Sequence, residues 1–135
     1  MSTPASPHLN QIGQIAINVH DLEVAVRFYR DTLGMTFLFQ VPKLAFFDCG
    51  GIRLMLAVAD RPEFDHQSSI IYYRVADIAA TCAALQAKGV ELEAAPALVA
   101  KMPTHDLWLA LFRDPDHNPV ALMSEVHVSP AGGTA

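Results

Sequence analysis

Long apolar runs are missing from this chain of 135 residues. No stretch approaches the ~18–20 residues that a membrane-crossing helix needs. The opening segment from Met1 to Pro7 has neither a basic start nor an apolar stretch. No secretory leader is therefore expected, and a cytoplasmic protein follows as the expectation. Positive charge is scarce too, with 9 Lys and Arg against 14 Asp and Glu and a formal net charge of -5. Phosphate backbones need a basic stripe, so a nucleic-acid partner is excluded. Cysteine is limited to Cys49 and Cys82, in neither Cys-x-x-Cys nor zinc-ligand spacing. A disulfide framework and a cysteine-built zinc site are excluded, and both residues read as small buried apolar groups. A phosphate-cradling GxxxxGK loop and a G-x-S-x-G nucleophile elbow are also absent.

What is present is core material. Apolar residues make up 52% of the chain and charged residues 17%, which excludes intrinsic disorder and suits one domain. The segment Gln14-Ile15-Ala16-Ile17-Asn18-Val19 alternates in polarity and runs into His20-Asp21-Leu22. That pattern predicts a strand, then a helix capped by Asp21, because an Asp carboxylate accepts the free N–H groups of a first turn. Apolar residues at Leu22, Ala25, Val26, Tyr29 and Leu33 carry the helix to Gly34, where glycine allows a left-handed stop.

The same order then recurs. Val19-x-Asp21-Leu22 returns as Val75-x-Asp77-Ile78, 56 positions later, followed by a helix through Cys82 and Leu85 to Gly89. Phe46 to Met55, folded about Gly50-Gly51, has its counterpart in Trp108 to Met123, folded about the turn from Asp114 to Asn118. The predicted fold is α+β: two βαβββ repeats, about 10–58 and about 68–126, forming a curved, cleft-bearing mixed sheet with helices on its outer face. Each half has about 55 residues, too few to bury a good core alone, so the two are expected to join. Ala59 to Gln67 reads as the linker, Ala94 to Thr104 as a looser stretch, and the tail from Ser129 as mobile.

The opening Ile15-Ala16-Ile17-Asn18-Val19-x-Asp21-Leu22 with Phe28-Tyr29-Arg30-Asp31-x-Leu33-Gly34, and the later Phe112-x-Asp114-Pro115-Asp116-x-Asn118, resemble the vicinal oxygen chelate superfamily. That group includes glyoxalase I, bleomycin-resistance proteins, methylmalonyl-CoA epimerases and extradiol dioxygenases. The resemblance spans about residues 10–126 and implies the fold more strongly than any one chemistry. It also implies four metal-ligand positions, which fall here on Gln14, Ile70, Arg53 and Ala121. Gln is a ligand in some glyoxalases, but Ile70 and Ala121 have no donor atoms and Arg53 is a cation without a free lone pair. No metal and no other cofactor is therefore expected.

Strand alternation puts Gln14 and Asn18, Arg53 and Met55, Tyr72 and Arg74, and Met123 and Glu125 on the cleft side, with Trp108, Ala110 and Phe112 along one wall. The expected ligand-binding set is Gln14, Asn18, Arg53, Tyr72, His105, Trp108 and Glu125. Arg53 suits an anion through its forked donors, or else pairs internally with Glu125 or a carboxylate from another strand. Packing is the competing role for Tyr72 and Trp108. His20 reads as a surface residue, His117 as a turn residue and His105 as a residue at the cavity mouth. The leading expectation is a metal-independent binding protein of the bleomycin-resistance type, working as a homodimer on an anionic or aromatic small molecule. The alternative is a glyoxalase-type lyase or isomerase, or a dioxygenase-type enzyme, using Gln14, Glu125 and His105 around an unusual metal site.

Overall fold

A computed structural model describes residues 7–127. The tail expected to be mobile lies outside the described residues. The first repeat comprises β1 (Gln14–Val19), α1 (Leu22–Arg27), β2 (Thr36–Val41), β3 (Leu44–Cys49) and β4 (Ile52–Val58). The second comprises β5 (Ile71–Arg74), α2 (Ile78–Ala87), β6 (Leu92–Lys101), β7 (His105–Arg113) and β8 (Pro119–His127). Each repeat makes a four-stranded mixed sheet, in the orders β1-β4-β3-β2 and β5-β8-β7-β6. The first strand of each repeat lies parallel to the last, and the other pairs are antiparallel hairpins. Among the described residues, no helix is long and apolar enough to cross a membrane.

The predicted caps form at both helices. Asp21 accepts from the Val24 amide at 3.2 Å and Asp77 from the Ala80 amide at 3.0 Å. The stops form as well, with Gly34 at φ +73° and Gly89 at φ +91°. After Arg27 the first helix widens into a π turn, Phe28–Thr32, closed by Leu33 N–H donating to the Phe28 carbonyl at 2.9 Å. That turn brings Phe28 against both cores, and Leu33 touches both as well. Replacing Asp77 by Ala removes the cap of α2 and is expected to cost about 1 kcal/mol in urea unfolding.

Each sheet buries one face beneath its helix. In the first repeat Ile17, Val19, Phe47, Leu54 and Leu56 pack with Ala25, Val26 and Tyr29. In the second, Ala110, Phe112, Val120 and Leu122 pack with Ile78, Cys82 and Leu85. The sheets do not pair strand to strand. The edge strand β1 is tied instead to the linker and to the β7–β8 turn through side chains: Asn18 N–H donates to Ser68 Oγ at 2.9 Å, and Asn118 Nδ2 donates to the Asn18 carbonyl at 2.8 Å. Edge amides left open by the fold are thereby satisfied. Buried Asp114 adds a second tie, accepting the Tyr29 hydroxyl at 2.8 Å.

The looser stretch expected from Ala94 to Thr104 is mostly strand. Its Ala94 to Lys101 part is not loop but belongs to β6. It breaks register against β7 at several places. As an edge strand it tolerates Pro96, whose missing N–H costs no ladder bond on the open side.

Candidate functional site

The open face of the first sheet, away from α1, carries Gln14, Ala16 and Asn18 from β1 and Arg53, Met55 and Ala57 from β4. The pairing places Gln14 beside Arg53 and Asn18 beside Ala57. Gln14 Nε2 lies 3.7 Å from Met55 Sδ. The Arg53 guanidinium sits 6.0 Å from the centre of the Phe46 ring, and Phe46 stacks on Phe39 with centroids 4.6 Å apart. Among the described residues Arg53 makes no ion pair. The expected alternative of an Arg53–Glu125 pair is not what forms, because Glu125 is engaged in the other sheet.

There Glu125 accepts from Arg74 at 3.1 Å and faces His105 Nε2 at 3.2 Å. The second ring nitrogen of His105 faces Thr104 Oγ1 at 3.3 Å. Tyr72 lies on the same open face, half exposed. The predicted residues therefore divide: Gln14, Asn18 and Arg53 on one sheet, Tyr72, His105 and Glu125 on the other.

Trp108 belongs to neither group. Register places it opposite Ser124, and it packs on the helix side with Ala110 and Phe112. The wall expected from those three residues is core, and the open face of β7 is formed by His105, Leu107, Leu109 and Leu111. A strand's parity is set by its partner's register, and one position exchanges the faces.

A cavity of about 700 Å³ lies against the first sheet. Its floor is Ile15, Ala16, Asn18, Leu44, Met55 and Ala57. Its wall is the linker, where the turn Pro62–Phe64 brings Phe64 over the floor together with His66, Ser68 and Ser69. Of the predicted set, Asn18 lines this cavity. The linker residues are what sequence reasoning missed. The signal for them was an aromatic residue closing a Pro-led turn in an otherwise polar connection.

The linker is held at its far end by a polar cluster. Asn18 Nδ2 donates to Asp65 at 2.8 Å, and His20 lies between Asp65, at 2.7 Å from Nε2, and Asp116, at 2.9 Å from Nδ1. These contacts raise the His20 pKa above its ordinary value, chiefly through the bond to Asp65 and then that to Asp116. Asp65 is lowered in turn, by its bonds to Asn18 and His20. Both cysteine thiols are pushed up by burial, which leaves neither activated.

The model of the Glyoxalase/Bleomycin resistance protein/Dioxygenase superfamily matches residues 11–122. The chain belongs to this superfamily. No sequence among curated proteins matches the chain. Among solved structures, this superfamily member is similar to TnmS3, an antibiotic binding protein from Streptomyces sp. CB03234. The identity is 26% and the TM-score 0.69, covering 89% of this chain and 99% of that one. It is also similar to lactoylglutathione lyase from Agrobacterium tumefaciens, at 22% identity and TM-score 0.68 over 84% of this chain and 92% of that one. A superfamily protein from Nocardioides aligns at 22% identity and TM-score 0.71, covering 98% and 93%. The superfamily thus contains both binding proteins and enzymes, and the four ligand positions bear on which kind this member is. Ala121 is walled by its cross-strand neighbours Tyr72 and Leu111, Arg53 stands next to Gln14, and Ile70 precedes β5. Among the described residues no three His, Cys, Asp or Glu side chains converge as metal ligands.

Proposed function

We propose that this superfamily member binds a small, largely apolar, anionic or aromatic molecule on the open face of its first sheet, without a metal. The observation that carries the reading is the cavity of about 700 Å³, apolar on its floor with Asn18, Asp60, Arg61, His66, Ser68 and Ser69 around its edges. Binding sites for small molecules have this composition, with few polar groups fixing orientation in an apolar hollow. Chemistry at the ligand positions supports the absence of metal. One amide, one guanidinium and two alkyl groups do not fit a divalent ion, which wants carboxylate or imidazole donors. The likeness to an antibiotic binding protein agrees with this reading. Arg53, beside the Phe39–Phe46 stack, supplies a fork for an anionic substituent reaching out of the cavity.

The working form we propose is a cytoplasmic homodimer. Ile70, Tyr72, Phe39 and Val41 are exposed apolar groups of the kind a second copy would cover.

The test is a thermal-shift screen of aromatic antibiotics and anionic aromatic metabolites, each run with added Zn²⁺ or Ni²⁺ and with a chelator. A hit unaffected by chelation is the expected result. With that hit, Arg53→Ala should weaken binding roughly tenfold, about 1.4 kcal/mol, while the unfolding midpoint stays in place. Stoichiometric metal together with lyase turnover of a glutathione hemithioacetal would overturn the reading. It would favour the enzyme alternative, for which the His105–Glu125 pair is the supporting contact.

A further inference from the structure

We infer that residues 59–69 form a strap over the cavity, latched by the imidazolium form of His20, so that the cavity loosens when His20 loses its proton. The strap rests on the proposed function only for its consequence, since it walls the cavity read there as the binding site. The latch itself is a matter of donors and acceptors. Both ring nitrogens of His20 lie within hydrogen-bonding distance of ionised carboxylates, Nε2 at 2.7 Å from Asp65 and Nδ1 at 2.9 Å from Asp116. A carboxylate only accepts, so both contacts are hydrogen bonds only when both nitrogens carry hydrogen. Neutral imidazole has one N–H, and one of the two contacts then sets a lone pair against an oxygen.

The three groups come from three places in the chain. His20 follows β1, Asp65 sits in the strap, and Asp116 sits in the β7–β8 turn, where His20 N–H also anchors it at 2.8 Å. Because Asp116 keeps that backbone bond and Asp65 does not have one to His20, loss of the proton releases the strap side. The strap has other ties, none of them titrating with His20. Asn18 holds Asp65, Ser68 bridges Asn18 and Asn118, Gln67 donates to the His117 carbonyl at 3.1 Å, and at the near end Lys43 pairs with Asp60 at 3.0 Å. The recess around His20 is lined by Asn18, Asp65, His66, Gln67, Asp116 and Asn118. The charged or titratable groups facing His20 from the strap are thus Asp65 and His66, and from the turn Asp116. On its own side, Asp21 is committed to capping α1.

The sign follows from a raised folded-state pKa. The latch is closed below the ordinary histidine value of 6.5 and is lost as pH rises through the higher folded value. Hydrogen exchange followed by mass spectrometry on the intact chain, at about pH 6 and about pH 9, tests this without any ligand. After correction for intrinsic exchange, protection of residues 60–69 should fall roughly two- to fivefold between the two conditions, while β3 and β4 stay protected. His20→Gln should show the low protection at both. Equal protection of the strap at both pH values in the unmodified protein would overturn the latch, as would a His20→Gln variant that keeps the change. Because no ligand enters the experiment, its failure leaves the binding proposal standing, and a failed ligand screen leaves the latch standing.

Discussion

Asp114→Ala should cost about 3–5 kcal/mol of stability, a fall of roughly 10–20 °C in unfolding midpoint. Asp114 is 3% exposed. Its carboxylate accepts four hydrogen bonds: Tyr29 hydroxyl at 2.8 Å, the Asp116 and Asn118 amides at 2.8 and 2.9 Å, and Asn118 Nδ2 at 3.0 Å. Truncation leaves several donors without partners in a dry place, where each unsatisfied group costs about 1–3 kcal/mol. The turn would lose its internal brace and the junction of the two repeats would lose its link to the π turn that follows α1. Tyr29 stays a donor throughout, since burial first and the Asp114 charge second push its phenol far above the usual range. Tyr29→Phe removes one bond from a carboxylate that keeps its others, and should cost about 1–2 kcal/mol. Chemical denaturation of both variants checks the order. Asp114→Ala within 1 kcal/mol of the parent would show that the junction is held by packing alone.

Ala57→Trp should weaken binding in the cavity severely while sparing the fold. Ala57 lies on β4 between Asn18 and Leu44 and forms part of the cavity floor, opposite the linker wall. Its side chain points away from Leu54 and Leu56, which are buried under α1, so an indole grows into the hollow and not into the core. Loss of apolar contact worth about 3 kcal/mol would weaken affinity roughly 100-fold. The apolar anionic fluorophore anilinonaphthalene sulfonate gives the readout, titrated into parent and variant with urea unfolding as control. Unchanged fluorescence enhancement would place the bound dye outside the cavity. Loss of enhancement with a normal unfolding curve is the expected pair of results.

The repeat, the two Asp caps, the two Gly stops and both hairpin turns were legible in the sequence because each is a local matter. A carboxylate next to a first helical turn, or glycine at positive φ, is decided within a few residues. Alternation then assigned Gln14, Asn18, Arg53 and Tyr72 to the open face, since Ile17, Val19 and Leu54 had to go beneath the helix. The same alternation misplaced Trp108, because nothing local says which parity of β7 faces α2. Pairing of Ala110 with Leu122 decides that. The Ala94 to Lys101 strand was hidden for a related reason: its register breaks and Pro96 read as loop until β7 was there to pair with it.

The cavity and its strap were beyond any local rule. His20 meets Asp65 and Asp116 across 45 and 96 positions of chain, and Phe64 reaches the floor of β1 and β4 only once the linker is tied back by Ser68. By itself the sequence determined the family of the fold, the faces of most strands and the poverty of metal donors at Gln14, Ile70, Arg53 and Ala121. These depend on residue type and short-range pattern. Tertiary structure alone decided that the candidate residues split between two sheets, that Glu125 goes to Arg74 and His105, and that the cavity lies under the linker. Such pairings are selected by the closure of the whole chain, because contacts between distant segments form only where packing of both cores has already fixed their distance.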